Sequence, residues 1–309
     1  MTPVYNGAES IESCLNSVAA QTYGAIEHII VDGGSTDGTL SIVKSFAARY
    51  PLTWISEPDK GMYDAINKGM TRASGTFVGY LNCDDQYLPW TVETAATALA
   101  AGYDLVYGDL ASIDLRGDRP ALYPHFYPPF SARYYTYSAT LGQPTVFWTN
   151  DLAERIGPFD TSFRLVGDHE YWLRAAAAGA SLIHIDEILA LQLEHGGTLR
   201  ERFPRELQEE LARVRRRYAT FGGPPPSSLV QGARRRLRWR WYQSQFIAAG
   251  MWKKPRKWPR FMRFLDQNCI RVDPRGLLWY LLPGPIRPRT ASLLDADRFR
   301  DAVARASRS

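Results

Sequence analysis

Short apolar runs and amphipathic stretches alternate along the first two hundred residues, and that alternation leaves few folds open. Ile26 to Val31, Thr53-Trp54-Ile55, Thr76 to Leu81 and Leu105-Val106-Tyr107 read as strands. Between them Ile11, Cys14, Leu15 and Val18 recur at helical spacing, as do Leu40, Val43 and Phe46, and then Met62, Ala65, Ile66 and Met70. A further helix is expected after Pro89, another from Asp168 to Ala178, and a strand at Leu182-Ile183-His184-Ile185. Strands alternating with helices of about 10–15 residues predict an α/β fold, a parallel sheet with helices on both faces. From about Ala111 the pattern loosens, and Tyr123, Pro124, Tyr127, Tyr134 and Tyr135 suit a loop-rich wall against a ligand.

Two strand ends carry chemistry. Thr76 to Leu81 runs into Asn82-Cys83-Asp84-Asp85. Open α/β sheets bind ligands at the carboxyl ends of their strands, and adjacent carboxylates there suit a hard divalent cation. The competing reading is an Asx-type turn that caps the next helix. Ile26 to Val31 runs into Asp32-Gly33-Gly34-Ser35-Thr36-Asp37-Gly38, whose backbone N–H groups can face an anion at a helix start. Thr36 or Asp37 is the expected N-cap there, and an ordinary tight connection is the competing reading. The turn is neither Gly-x-Gly-x-x-Gly nor a P-loop, which disfavours a nicotinamide-binding domain or an NTPase.

In order, Thr2-Pro3-Val4-Tyr5-Asn6-Gly7, Val31 to Thr39, Leu81 to Asp85 and Gly167-Asp168-His169-Glu170-Tyr171-Trp172-Leu173-Arg174 resemble the motifs of the family 2 glycosyltransferases. Ser56-Glu57-Pro58-Asp59-Lys60-Gly61-Met62-Tyr63-Asp64-Ala65-Ile66-Asn67-Lys68-Gly69 is similar to a bacterial subgroup that builds surface polysaccharide and O-antigen. The resemblance covers roughly residues 1–200. It implies a GT-A fold, a Rossmann-like nucleotide-diphospho-sugar transferase with a mostly parallel sheet flanked by helices. The donor would be a UDP, GDP or dTDP sugar, the acceptor a hydroxyl of a glycan or lipid-linked glycan, and the cofactor Mg²⁺ or Mn²⁺.

Residue by residue, the resemblance implies that Pro3 and Tyr5 line the nucleotide pocket, with Tyr5 stacking on the base, and that Asp32 contacts the nucleoside. Asp85 would ligate the metal. Asp84 would hold ribose or sugar hydroxyls beside it and share in the metal site. His195 would add a metal or diphosphate contact, and Lys60 or Arg200 could pair with phosphate. Asp168 would be the general base of an inverting displacement. His169 and Glu170 could be solvated, while Trp172 and Arg174 would pack the helix and line the acceptor side. Two departures stand out. Gly33 replaces an acid that the family often uses to read uracil, and the chain begins inside the first motif.

The chain of 309 residues is 45% hydrophobic, so a substantial core can form. Cys14, Cys83 and Cys269 are scattered and suit a reducing compartment rather than a disulfide framework. Residues 1–200 carry 12 Lys/Arg against 23 Asp/Glu, whereas residues 201–309 carry 25 against 9. That asymmetry separates two regions with different jobs, and with the resemblance and the Gly222-to-Pro226 break it places a glycosyltransferase domain at 1–220 and a basic, mainly helical extension at 221–309. Arg234 to Trp241 and Lys253 to Arg260 interleave bases with tryptophan, as the headgroup zone of an anionic membrane favours. A tail folded on the acidic domain is the competing reading; nucleic acid is disfavoured because no reader motif is present. No apolar stretch or leader pattern suggests a spanning segment. The expected location is cytoplasmic, peripheral on the cytoplasmic face of the inner membrane. A nucleotidyltransferase would need an N-terminal Gly-rich Lys/Arg signature that is absent. A non-catalytic sugar-nucleotide-binding partner of another transferase is the alternative function.

Overall fold

The computed structural model describes residues 1–114, 121–125, 127, 129–137, 139–194 and 199–222. His195 and the basic stretch from 223 onward lie outside the described residues. The order is β1 (Thr2–Val4), α1 (Ile11–Ala19), β2 (His28–Asp32), α2 (Thr39–Phe46), β3 (Leu52–Ser56), α3 (Met62–Met70), β4 (Phe77–Gly79), β5 (Gln86–Tyr87) and α4 (Thr91–Ala100). Then follow β6 (Leu105–Asp114), β7 (Ala121–His125), α5 (Ala132–Tyr135), β8 (Phe147–Thr149), α6 (Asn150–Ile156), α7 (Gly167–Ala177), β9 (Leu182–Glu194), α8 (Leu199–Arg202) and α9 (Pro204–Arg217).

β1, β2 and β3 form a parallel sheet in that order, with Thr2 opposite Ile30 and Ile30 opposite Trp54. All five residues of β2 are buried, as a central strand covered by helices on both faces requires. A second sheet runs β4-β8-β6-β9-β5, with β7 on β6. It is mixed: β6 and β9 are parallel, while β8 lies antiparallel between β4 and β6. The halves meet where Met1 donates from its amino nitrogen to the Gly79 carbonyl (2.9 Å) and the Leu81 N–H donates to the Met1 carbonyl (3.0 Å). The first strand, short in sequence, is therefore paired on both sides, and the tips of β1 and β2 open on the same side as the Asn82–Asp85 turn.

The helical spacings turn inward, with Leu40, Met62 and Met70 only half-buried. Ile11, Cys14, Leu15 and Val18 of α1 are buried, as are Val43 and Phe46 of α2. Burying one such side chain stabilises by roughly 1.5–3 kcal/mol. Around α7 the core is aromatic: Phe159 stacks on Tyr171 at 3.8 Å, and Trp148 meets Trp172 edge-on at 5.0 Å. Three expectations shift. Tyr123 and Pro124 belong to a strand, β7, pairing with β6 alone, an edge position that tolerates proline. β9 runs thirteen residues rather than four. The cap of α2 is Gly38, while Asp37 Oδ1 accepts the Thr39 N–H (3.0 Å) from one residue before it.

α9 is the holding element of the second half. Its Glu210 accepts the N–H groups of Arg164 (2.7 Å), Leu165 (2.9 Å) and Val166 (3.1 Å), the three residues that lead into α7. Glu210 is itself buried, so removing its carboxylate strands three backbone donors. Glu210→Ala should lower unfolding stability by about 2–4 kcal/mol, read as a shift of the urea midpoint. An unchanged midpoint would show that the clamp is not needed.

Candidate active site

The loops after β1 and β2 tie each other together. Asn6 N–H donates to Ser35 Oγ (2.7 Å), Thr36 N–H to Asn6 Oδ1 (2.9 Å), Gly7 N–H to Thr39 Oγ1 (2.9 Å) and Ala8 N–H to Asp37 Oδ2 (3.1 Å). Asp32 ends β2 fully buried, and its carboxylate accepts Ser56 Oγ (2.6 Å) and the N–H groups of Ser35 (3.0 Å) and Gly34 (3.2 Å). The amides expected to face an anion are thus engaged within the protein, because short acidic side chains compete for nearby backbone donors. Pro3 is buried in β1, whereas Tyr5 just beyond it is 64% exposed. Lys60 is exposed, and its backbone N–H donates to Asp64 (3.1 Å).

Asp85 closes the turn after Leu81 and is almost fully buried. Burial pushes its carboxyl well above the ordinary range, and Asp84 adds to the push. Opposing this are a long contact from Asn82 Nδ2 (3.5 Å), the charge of Arg200 and the Leu193 amide of β9, and they do not offset it. Gln143 orients the turn, donating to the Tyr80 carbonyl (2.8 Å) and accepting Asn82 Nδ2 (3.1 Å). Asn82 Oδ1 is buried with no partner among the described residues.

Asp168 opens α7, also buried. Tyr63 of α3 donates its hydroxyl to Asp168 Oδ1 (3.2 Å), and Arg200 of α8 approaches Oδ2 at 3.7 Å. A Cβ at position 167 would lie 2.7 Å from the Tyr63 ring, so glycine there lets the tyrosine cross the helix start. Arg200 is 59% exposed, and its charge acts on Asp85 as well as on Asp168. The middle and last of the three acidic positions therefore share one cation, whereas Asp32 is confined within its own turn.

His169 and Glu170 are buried rather than solvated. His169 stacks on Tyr135 at 4.3 Å, and Glu170 accepts from Arg174 (2.8 Å), Arg217 (3.1 Å) and Tyr218 (2.7 Å). Trp172 lies in the core, and Arg174 also holds the carbonyls of Ile156 (2.7 Å) and Pro158 (2.8 Å).

Known proteins are similar in sequence and fold. The sequence model described as Glycosyl transferase family 2 matches residues 1–151. A PGL/p-HBAD biosynthesis glycosyltransferase of Mycobacterium bovis is 30% identical over 203 residues, 63% of this chain and 76% of the relative. The chain belongs to glycosyl transferase family 2. Glycosyltransferase AglE of Haloferax volcanii is 31% identical over 193 residues, 60% of this chain and 64% of its own. Among solved structures, S. aureus TarS 1–349 in complex with UDP-GlcNAc has a TM-score of 0.56 at 18% identity, covering 100% of this chain and 89% of that one. The mannosyltransferase PcManGT from Pyrobaculum calidifontis, in complex with GDP-Man and Mn²⁺, has a TM-score of 0.56 at 20% identity, covering 99% and 84%. The fold is that of the GT-A nucleotide-sugar transferases.

Of these proteins, PcManGT is the one solved with a divalent metal, Mn²⁺. Among the described residues no group of three or more His, Cys, Asp or Glu converges to hold one. The turn nevertheless fits a hard cation: Asp85 is buried with too few donors, and Asn82 Oδ1 has none. Magnesium-type ions are held by one or two carboxylates together with phosphate and water.

Sequence reasoning missed Tyr63, Gln143 and Glu210. Tyr63 stood inside a recognised motif; Gln143 and Glu210 carried no local signal. The buried imidazole of His169 has a measurable consequence. Burial pushes it down to about 4, so the unfolded chain takes up this proton at higher pH than the folded one. The stability it supports is intact above about pH 6.5 and is lost as pH falls towards 4. His28, also buried and neutral, acts in the same direction. His169→Phe, which keeps the stacking, should remove about 3 kcal/mol of that acid loss. The check is the difference between variant and wild-type urea midpoints at neutral and acid pH; equal slopes would refute it.

Proposed function

We propose that this family 2 enzyme is an inverting, metal-dependent glycosyltransferase that extends a glycan or lipid-linked glycan in surface polysaccharide synthesis. One observation carries the reading. A buried carboxylate, Asp168, is held at a helix start by Tyr63 and Arg200, and the same arginine acts on Asp85. That shared arginine supports reading Asp168 as the base and Asp85 as the diphosphate-handling carboxylate of one donor site.

Asp168 accepts the proton of the acceptor hydroxyl as that oxygen attacks the anomeric carbon. The bond from that carbon to the diphosphate oxygen breaks on the opposite face, which inverts the anomeric centre, and the nucleoside diphosphate leaves. Tyr63 keeps the carboxylate aimed, and Arg200 is placed to turn from Asp168 to phosphate when the donor enters. Asp85, with Asp84 and Asn82 beside it, would hold Mg²⁺ or Mn²⁺, which when bound neutralises charge on the diphosphate. His195 is the remaining candidate ligand. Tyr5 offers a face to the base, and Lys60 a charge to phosphate. UDP-GlcNAc and GDP-Man in the structural neighbours support a nucleotide-diphosphate donor of UDP, GDP or dTDP type.

Asp168→Asn should lower kcat for sugar transfer by about 10²–10⁴-fold, with a much smaller change in donor KM. Asp85→Ala should abolish the response to Mn²⁺, and NMR of the product should show the opposite anomeric configuration to the donor. Full activity in Asp168→Asn, or a retained configuration, would overturn the mechanism.

No helix among the described residues is long and apolar enough to cross a membrane. The basic, tryptophan-rich sequence beyond residue 222 supports peripheral attachment to an anionic surface, each base near it contributing on the order of 1 kcal/mol. Sedimentation with phosphatidylglycerol vesicles should fall with added salt and on deleting residues 231–309. Equal sedimentation of the shortened chain would remove the idea.

A further inference from the structure

β3 lies at the open edge of the first sheet, away from the candidate active site's acids. His28 N–H donates to the Pro51 carbonyl (3.1 Å) and Glu57 N–H to the Asp32 carbonyl (3.0 Å), which fixes the parity of the strand. Pro51, Thr53, Ile55 and Glu57 turn their backbone groups towards β2. Leu52, Trp54 and Ser56 therefore turn theirs outward, and no described residue bonds to them. Edge strands are ordinarily guarded by a charge, a proline, a bulge or a covering segment. β3 reads Leu-Thr-Trp-Ile-Ser, with neither charge nor proline, and its register with β2 is unbroken over all five residues. Thr53, Trp54 and Ser56 are exposed, Trp54 to 39%. The two ends of the strand carry opposite charge. Arg49, exposed, precedes it; Asp59 follows it, as does Glu57, whose side chain stays 48% exposed despite its contact with Lys68.

An edge that is self-complementary in both hydrogen bonding and charge suits a copy of itself turned about a two-fold axis. We propose that β3 is a self-association edge, on which a second copy of this chain lays its own β3 antiparallel and joins the two three-stranded sheets into one. Only the register centred on Trp54 uses every outward group. Trp54 then faces Trp54 of the second copy, and Leu52 faces Ser56 of the second copy. Each is a hydrogen-bonded pair, with Cα atoms about 5.5 Å apart. The two indoles lie opposite each other on one face, where aromatic pairs support a sheet. Arg49 of each copy comes to the Glu57–Asp59 end of the other. Pro58 is the next position that would turn outward, and it has no N–H to give, so the ladder ends there. This pairing is independent of the transferase reading.

Analytical ultracentrifugation of the full chain tests it. The average mass should rise from one chain towards two as the concentration goes from about 1 to about 100 µM. Trp54→Pro removes the outward N–H at the centre of the edge without touching the ladder to β2, a place where a strand tolerates proline. It should weaken the dimer by about tenfold or more, since both central hydrogen bonds are lost. Trp54→Lys keeps every backbone group, sets two like charges on the axis, and should weaken the dimer more at low salt than at high salt. Amide exchange followed by NMR needs no variant: the Leu52, Trp54 and Ser56 amides of the wild-type chain should exchange more slowly as concentration rises. A wild-type chain that stays monomeric over this range would overturn the proposal. So would edge amides whose exchange ignores concentration, or a dimer that both variants leave intact, the result expected if residues 223–309 associate instead.

Discussion

Glu210 gathers the N–H groups of Arg164, Leu165 and Val166 into one carboxylate, and through them α9 sets where α7 begins. A helix start leaves backbone donors without intrahelical partners. The described residues give α7 no side-chain cap of its own. The partner supplied from α9 therefore anchors the segment that leads into α7 and Asp168. A second tie lies one turn on, where Glu170 holds Arg217 and Tyr218. In sequence α9 looks like the first part of a basic extension, since it carries Arg213, Arg215, Arg216 and Arg217. In the fold it is the support of the proposed base.

α3 performs the complementary task. Lys68 holds Glu57 and the Pro58 carbonyl on the side of the nucleotide loops. Asn67 brackets Phe159, donating to its carbonyl (2.9 Å) and accepting its N–H (2.8 Å). Tyr63 reaches Asp168. Three side chains on one short helix thus connect the loop after β3 with the helix that offers Asp168. The Ser56–Gly69 motif, read in the sequence as the mark of a subgroup, also supplies through Tyr63, Asn67 and Lys68 the ties between the loop after β3 and the region of α7.

What the sequence made legible followed from locality. Apolar periodicity is a property of neighbouring residues, and the parallel half of the sheet came out of it directly. β7 did not, because Pro124 reads as a loop until the strand is known to pair on one side only. Nor did the length of β9, whose Asp186 and Glu187 interrupt the apolar run. The acids of the cleft were visible as a pattern at strand ends and a helix start. Their holders were not, because Tyr63 with Asp168, Asn82 with Gln143 and Leu165 with Glu210 are pairs far apart in the chain. The turn after β2 misled in a more instructive way. Glycines and short polar residues can leave amides open to an anion or supply the acceptors that close them, and Asp32 and Asp37 do the second.

The carboxylates divide by how well their burial is answered. Asp32, Glu170 and Glu210 each take three donors from within the protein, so their burial is offset and they hold structure. Asp85 is as deeply buried, yet what surrounds it leaves its charged form disfavoured. Keeping an ionised carboxylate in such a place costs several kcal/mol unless a cation or donor arrives. Asp109 is also pushed up by burial despite the Tyr127 N–H and His184, so Asp85 is not alone in this; a ligand that meets the demand at Asp85 gains that energy on binding. The weakly answered carboxylate of Asp85 and the unpartnered Asn82 Oδ1, rather than the acids as such, carry the metal reading of this turn.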